Sequence, residues 1–337
     1  MKPVVSVILP VRDGGQWLRQ AVDSILEQSL RELELIVIDD HSRDGCVEAL
    51  AGIDPRLRIV HNPGRGVSHA FNAGFAQAAG RFIARMDADD VALPQRLETQ
   101  VDYLRQNPAI DLCGARVEIF IGDGVDGAQP AGGNRRYQSW LNGCRSPAAI
   151  HRELFVESPI PNPTALFRRE ALQRLGGYGD PDWPEDYDLF LRADLQGMRM
   201  GKPDPVLLRW RDHGQRLTRS SPRYDWARFQ AAKAHYLVAG RLRSVDSVVI
   251  WGAGPGGRTM HDLLRQQGMA VAGFLDVHPR RVGGTKRGLP VWSLDHVEQL
   301  TDRFIVVAVG AAGARPKIRA FLQQRGRLEG NDYLFVS

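Results

Sequence analysis

Three carboxylates, Asp87, Asp89 and Asp90, fall within four positions of the segment Met86-Asp87-Ala88-Asp89-Asp90. The run before them, Arg81-Phe82-Ile83-Ala84-Arg85-Met86, has the composition of a short strand, so the acids stand where a strand would end. Clustered carboxylates repel one another unless a cation or hydrogen-bond donors offset the charge. Oxygen ligation by one or two carboxylates, completed by a substrate's phosphates, suits Mg²⁺ or Mn²⁺. The chemistry this spacing points to is a metal–diphosphate site. The alternative is a solvated acidic turn that caps the next helix, since Asp is a favoured cap.

Such a site needs elements that hold it at one edge of a sheet. The chain has 337 residues, a length that suggests about two domains. Hydrophobic residues make up 43% and charged residues 25%, the balance of a soluble globular protein. No apolar run is long enough to span a bilayer. Met1 to Pro10 is apolar but short and meets Arg12 and Asp13 at once, so it reads as a first strand and not a signal peptide. The three cysteines, Cys46, Cys113 and Cys144, are too far apart for a zinc spacing or a disulfide framework, which fits a reducing cytoplasm. The net charge of +5 favours acidic partners such as nucleotide phosphates, lipid phosphates or a membrane surface. The basic residues are dispersed and no nucleic-acid motif is present, so no nucleic-acid partner is expected.

Strand and helix patterns alternate from the start. Val4 to Leu9 and Leu33 to Ile38 are β-rich apolar runs of the kind found in buried parallel strands. Between them Trp17, Leu18, Ala21, Val22, Ile25 and Leu26 recur at helical spacing. A short helix from Cys46 to Ala51, a strand over Leu57–Val60 and a small-residue helix from Val67 to Ala79 follow. Beyond the acidic segment come a helix from Pro94 to Asn107 and a strand from Ile110 to Phe120. A Gly- and Asp-rich surface loop from Gly122 to Gly133, expected to be mobile, leads to a helical stretch from Arg135 to Glu157. Helices over Arg169–Leu175 and Glu185–Gln196 and a strand over Pro205–Trp210 complete this half. The alternation predicts an α/β sheet with helices on both faces. Ligands in such sheets bind at the carboxyl ends of the strands.

Four features then share one edge: Asp39 and Asp40 at the end of the second strand, Asn72 and Gly74 on a helix after a Gly-rich loop, the Asp87 cluster, and Glu185-Asp186 opening a later helix. With Val5-Ser6-Val7-Ile8-Leu9-Pro10, Pro94-Gln95-Arg96-Leu97, Phe167-Arg168-Arg169-Glu170, Gly176-Gly177-Tyr178 and Arg211-Asp212-His213, this ordered set resembles the family 2 glycosyltransferases of the GT-A (nucleotide-diphospho-sugar transferase) fold. It covers about residues 4–220. Each motif alone is common; their order is specific. The resemblance implies a mixed, mainly parallel sheet and an inverting, metal-dependent sugar transfer from a nucleotide-diphosphate donor, UDP-sugar foremost. The acceptor would be a hydroxyl of a glycan or lipid-linked glycan, in surface polysaccharide synthesis.

On that resemblance Asp39 would accept from the nucleobase over a floor at Pro10 and Val11, or else cap its own loop. Asp87 would meet the donor ribose or sugar, or share the metal. Asp89 would bind Mn²⁺ or Mg²⁺, which neutralises the departing diphosphate. Asp90 is open between cap and ligand. Asn72 and Arg65 could touch the donor, though Arg65 reads first as a solvated loop charge. Asp186 would be the general base, a carboxylate placed to take the acceptor's proton during attack; the alternative is an acidic first turn that suits the helix dipole. Glu185 points elsewhere on the helix. Trp183 and Tyr187 could stack on an acceptor sugar with Glu185 nearby, or pack in the core. Arg211 would help close the donor site, and His213 would complete the metal's coordination. Two positions depart from the family's pattern: its common Asn in the first loop is Asp13 here, and a related His is Asn162.

Past a joining helix over Tyr224–Gly240 the pattern restarts. Gly252, Gly254 and Gly257 satisfy G-x-G-x-x-G between a strand and a helix, and Asp276 ends the next strand, where an acid would meet a ribose hydroxyl. With Gly273-Phe274-Leu275-Asp276 and Gly288-Leu289-Pro290-Val291, this part resembles the nucleotide-sugar-binding N-terminal domains of sugar O-acyltransferases. It is a small Rossmann-like α/β domain, either binding a nucleotide or serving for packing or homodimer formation. The expected organisation is therefore a GT-A domain over 1–220, a helical linker over 221–245 and the Rossmann-like domain over 246–337. A nucleotide-sugar sensor or NAD(P)-dependent oxidoreductase working through the second domain is the competing function. The expected location is the cytoplasm, with peripheral attachment to the inner membrane face in view.

Overall fold

The structure, a computed structural model, describes residues 2–122 and 132–337. The loop expected over 122–133 therefore lies mostly outside the described residues. The chain divides into two compact units, 1–151 with 159–222, and 152–158 with 223–337.

The first unit opens with β1 (Val5–Val11), α1 (Trp17–Leu26), β2 (Leu33–Asp39), β3 (Leu57–His61), α2 (Val67–Gln77) and β4 (Phe82–Arg85). It continues with β5 (Val91–Ala92), α3 (Arg96–Gln106), β6 (Leu112–Cys113), β7 (Arg116–Ile121), α4 (Gly133–Gly143) and α5 (Pro147–Glu153). Then come β8 (Leu166–Arg168), α6 (Arg169–Leu175), α7 (Glu185–Leu195), β9 (Met200–Gly201), β10 (Val206–Asp212) and α8 (Leu217–Ser220). A seven-stranded sheet runs β3-β2-β1-β4-β8-β6-β9, and β5-β10-β7 form a second, three-stranded sheet. β3, β2, β1 and β4 are mutually parallel, while β8 runs antiparallel to β4 and to β6. The sheet is thus mixed and mainly parallel, as the GT-A resemblance implies.

The strand order explains where a ligand can sit. After β1 the chain builds outward through β2 and β3, then returns to place β4 on the other side of β1. That reversal opens a crevice at the carboxyl ends of β1 and β4. Val11 pairs with Asp39 in the β1–β2 register, and Ile8 pairs with Arg85 in the β1–β4 register. Asp39 and Asp87 are therefore delivered to the same edge. The sheet is covered on both faces. Val5, Val7, Leu9 and Val11 share a core with Leu18, Val22 and Ile25 of α1 and with Leu97 and Val101 of α3. Ile8 and Ile38 lie instead against Gly74 of α2.

Two expected elements are divided. The strand over 110–120 is two strands in different sheets, parted at Gly114, where a Cβ would come within 2.8 Å of Ile160. The helix over 135–157 is α4 and α5, the second starting at Pro147, a residue that suits the first turn of a helix and not its interior. The segment expected as a helix over 46–51 is one 3₁₀ turn, Glu48–Leu50.

The second unit contains α9 (Trp226–Ala239), β11 (Ser247–Trp251), α10 (Pro255–Gln266), β12 (Ala270–Leu275), β13 (Thr285–Lys286), β14 (Leu289–Trp292), β15 (Phe304–Val307), α11 (Ala314–Gln323) and β16 (Tyr333–Phe335). Its sheet runs β13-β14-β12-β11-β15-β16, parallel except for the β13–β14 pair. The helix α9, expected to join the halves, belongs to this unit and packs on α10. So does the segment 152–158: Lys233 of α9 donates to Val156 O (2.8 Å) and Val336 O (2.9 Å). Burial pushes this ammonium down to about 8; its two carbonyl partners hold it in place. Among the described residues no helix is long and apolar enough to cross a membrane.

Candidate active site

The carboxylate turn is anchored from beneath by buried cations. Arg96, the first residue of α3, is fully buried; it donates to Arg85 O (2.6 Å), contacts Met86 Sδ (3.2 Å) and bonds Gln100 Oε1 (3.1 Å). Burial lowers its pKa to about 10. Gln100 in turn bonds Gly114 O (3.1 Å) and Thr164 O (2.8 Å). These bonds lock the backbone just ahead of Asp87.

Asp87, Asp89 and Asp90 bring ligand atoms within 4.8 Å of one another. They differ sharply in surroundings. Asp89 Oδ2 lies 2.8 Å from His213 Nε2. Burial alone would raise Asp89, but the hydrogen bond from His213 and the charges of Arg216 and His213 outweigh it and hold the group below the usual carboxylate value. Asp90 is 1% exposed; one oxygen accepts the Arg211 N–H (2.8 Å), and the other is buried with no hydrogen-bond partner among the described residues. Burial, with Asp89 and Asp87 beside it, pushes Asp90 well up. An orphaned buried carboxylate oxygen beside two further carboxylates and an imidazole is the donor set a divalent cation satisfies. The residues therefore fit Mn²⁺ or Mg²⁺.

His213 is held by Trp17, ring centroids 4.2 Å apart. Together with Asp13, Gly15 and Gln215 these two residues line a cleft of about 450 Å³ at the start of α1. Arg211, expected at the donor, is fully buried instead. Its guanidinium donates to Asp89 O (2.8 Å), Gln20 Oε1 (2.8 Å) and Gly122 O, and lies over the rings of Trp17 and Phe120. It fixes the carboxylate turn and does not face the cleft.

At the other end of the crevice Asp39 accepts from the Ser42 N–H (2.8 Å) and lies 3.3 Å from His61 Nδ1. Burial would raise its pKa, but the hydrogen bonds from Ser42 and His61 lower it overall. Asp39 caps its loop through Ser42, one of the two roles drawn from the sequence, and its second oxygen lies beside a highly exposed imidazole, 84% accessible. Val11 O accepts the Asp40 N–H (2.8 Å) below it, and Pro10 and Val11 are buried. Asp40 takes the Gly66 N–H and the Asn62 amide, shaping the β3–α2 loop. Asn72, expected at the donor, has both ends of its amide engaged by the Tyr178 backbone (2.8 and 2.9 Å). It pins the Gly176-Gly177-Tyr178 turn.

Asp186 stands in the first turn of α7, half-buried, and accepts the Tyr187 N–H (2.7 Å). Glu185 and Tyr187 are 2% and 0% exposed, so Tyr187 belongs to the core and cannot stack on a sugar. Trp183 is half-buried, its Nε1 donating to Asp188 (2.9 Å). Asp188 also pairs with Arg192 (2.7 Å), which donates to Leu175 O and Gly177 O. That brace sets α7 against the end of α6. Burial raises the Tyr178 hydroxyl, and the charges of Asp186, Asp87 and Glu185 raise it further. One buried tyrosine thus feels Asp186 of α7 and Asp87 of the acidic turn together. The sequence reading gives neither residue a role: Tyr178 enters only as the end of Gly176-Gly177-Tyr178, and Arg85 only as an arginine inside an apolar strand.

In the second unit the glycine turn opens α10 as expected. A Cβ on Gly257 would lie 1.6 Å from Gly252 O, so this glycine permits the helix to close on the turn. Gly254 is the residue before the helix. Asp276, expected to meet a ribose, accepts instead from Ala253 N (2.8 Å), His278 N (2.8 Å) and Arg281 Nη1 (3.0 Å). Burial raises it, and these donors bring it below the usual value. The carboxylate organises the turn.

The edge so built carries an acid after β2, an acidic turn after β4 and a carboxylate opening α7, on a mixed, mainly parallel sheet of the GT-A kind. The model of glycosyl transferase family 2 matches residues 6–176, and the chain belongs to this family and is a glycosyltransferase. It is 30% identical over 224 residues to an uncharacterised glycosyltransferase of Haemophilus influenzae, covering 64% of this chain and 68% of that one. It is 27% identical to the O-antigen biosynthesis glycosyltransferase WbnJ of Escherichia coli, over 66% of this chain and 84% of the relative. Among solved structures, S. aureus TarS in complex with UDP-GlcNAc shares the fold with a TM-score of 0.57 at 18% identity, over 80% of this chain and 74% of that one.

Proposed function

We propose that the chain transfers a sugar from a nucleoside-diphosphate donor, a UDP-sugar, to a hydroxyl of a glycan or lipid-linked glycan, with inversion and with Mn²⁺ or Mg²⁺. The observation that carries this reading is the convergence of Asp39, Asp87, Asp89 with His213, and Asp186 on one crevice. Asp39 accepts the nucleobase N–H through Oδ2, the oxygen beside the exposed His61 ring. Asp87 accepts a donor hydroxyl. Asp89 and His213 would hold the cation, which when bound would supply positive charge to offset that on the departing diphosphate. Asp186 takes the acceptor's proton while the acceptor oxygen attacks the anomeric carbon from the face away from the diphosphate. A single direct displacement inverts that carbon. The burial of Glu185 supports this division, because it leaves one carboxylate of the pair at the site. The relation to an O-antigen biosynthesis enzyme supports an acceptor of surface-polysaccharide type.

Asp39→Asn tests the nucleotide half of the reading. The carboxylate's hydrogen bond to a base N–H is charge-assisted, so its loss should weaken UDP about tenfold or more. Calorimetry with UDP on both proteins measures this. Equal affinities would place the base elsewhere.

A further inference from the structure

Arg85 ends β4 two residues before Asp87, and its side chain is 4% exposed. Its Nε donates to Oδ1 of Asp87 (2.8 Å), and its Nη2 lies 2.7 Å from the same oxygen as an ion pair. Its Nη1 is buried with no hydrogen-bond partner among the described residues. The guanidinium lies 5.7 Å from the Phe71 ring and 5.9 Å from the Tyr178 ring, and those rings are 4.5 Å apart. A buried cation whose third nitrogen is unsatisfied is costly unless a partner charge holds it. Its close partner is Asp87.

The hydrogen bond and the ion-pair contact both fall on Oδ1, so the guanidinium crowds that oxygen. Only Oδ2 of Asp87, a carboxylate 25% exposed, remains for a ligand. The charge of Asp87 is also opposed by a cation in a poorly screened place, which weakens its pull on a dication. Asp89 has no such clamp: its partner is an imidazole, 16% exposed, that can itself ligate. We infer that Arg85 is a positioning residue that assigns the two carboxylates different work, keeping Asp87 as a one-oxygen acceptor for a hydroxyl of the sugar nucleotide and leaving the cation to Asp89 and His213. This rests on the proposed metal-dependent transfer and adds to it the residue that fixes the role of Asp87.

The test measures Mn²⁺ binding without donor, by the loss of the free-ion EPR signal, alongside donor KM. Wild-type protein should bind Mn²⁺; no binding there sinks the metal-dependent reading itself, a failure distinct from that of the Arg85 role. Arg85→Met fits the apolar stem and frees both Asp87 oxygens. It should tighten Mn²⁺ several-fold while raising donor KM about tenfold or more, the scale of one misplaced charge-assisted hydrogen bond. Arg85→Lys, with charge but no fork, should fall between. Asp87→Asn keeps an oxygen that can accept the Arg85 Nε–H, so it reports even if Arg85→Met fails to fold. It should leave Mn²⁺ affinity within about twofold and raise donor KM about tenfold or more, whereas Asp89→Asn should abolish Mn²⁺ binding. If Asp87→Asn weakens Mn²⁺ as much as Asp89→Asn does, or if Arg85→Met weakens metal and donor together, the inference is overturned.

Discussion

Asp89→Ala is expected to remove transfer almost completely while leaving the fold intact. The side chain is 26% exposed, and its partner is His213 at 2.8 Å. Its removal therefore opens no core cavity. The backbone contribution survives the change, because Arg211 donates to Asp89 O and not to the carboxylate. What is lost is the carboxylate of the cluster that pairs with His213 and has no arginine clamped on it: one Asp90 oxygen accepts the Arg211 N–H, and Asp87 is paired to Arg85. Offsetting charge on a leaving diphosphate accounts for several kcal/mol of a barrier, so the expected fall in kcat is about a thousandfold or more. Circular dichroism and the melting temperature should match the wild type within a few degrees. A folded Asp89→Ala protein of near-normal rate would remove the metal from the account.

Asp186→Asn is the second large effect. Asparagine keeps the shape and can still accept the Tyr187 N–H, so α7 and its Asp188–Arg192 brace should stand. It cannot take a proton from a hydroxyl. Loss of a general base lowers rates by about a hundred- to ten-thousandfold. Steady-state rates at saturating donor measure the fall, and UDP affinity by calorimetry should stay within about twofold, because charge-assisted bonds to the donor are left in place. A collapse of UDP affinity would instead make Asp186 a donor ligand.

Much of this site was legible because it obeys local rules. Parallel strands read as apolar runs, and acids directly after such runs must fall at the carboxyl edge, as Asp39 and Asp87 do. The glycine turn before α10 was legible for the same reason, since strand, turn and helix are consecutive. What was hidden depends on partners distant in sequence. Arg211 looks like a basic residue beside His213, yet it is buried because Gln20, Trp17 and Phe120 surround it. Tyr187 and Trp183 looked equivalent around the base; one turns into the core and the other does not. Asn72 looked available until the Tyr178 backbone, 106 residues on, took both ends of its amide. Asp276 sits where the fingerprint asks for an acid, but Arg281 and two backbone N–H groups reach it first. Strands of two residues such as β5, β6 and β9 carry no periodicity at all. The inclusion of 152–158 in the second unit depends on Lys233, far along the chain, and no window of sequence contains that bond.

The central claim is tested most directly by incubating the purified protein with a panel of nucleotide-sugars and following nucleoside-diphosphate release, with Mn²⁺ and with EDTA. One donor, a UDP-sugar, should release its nucleoside diphosphate in the presence of Mn²⁺. EDTA should stop the release, and Asp186→Asn should slow it by about a hundredfold or more. Release that continues at full rate in EDTA, or that is unchanged in folded Asp186→Asn protein, would contradict the account.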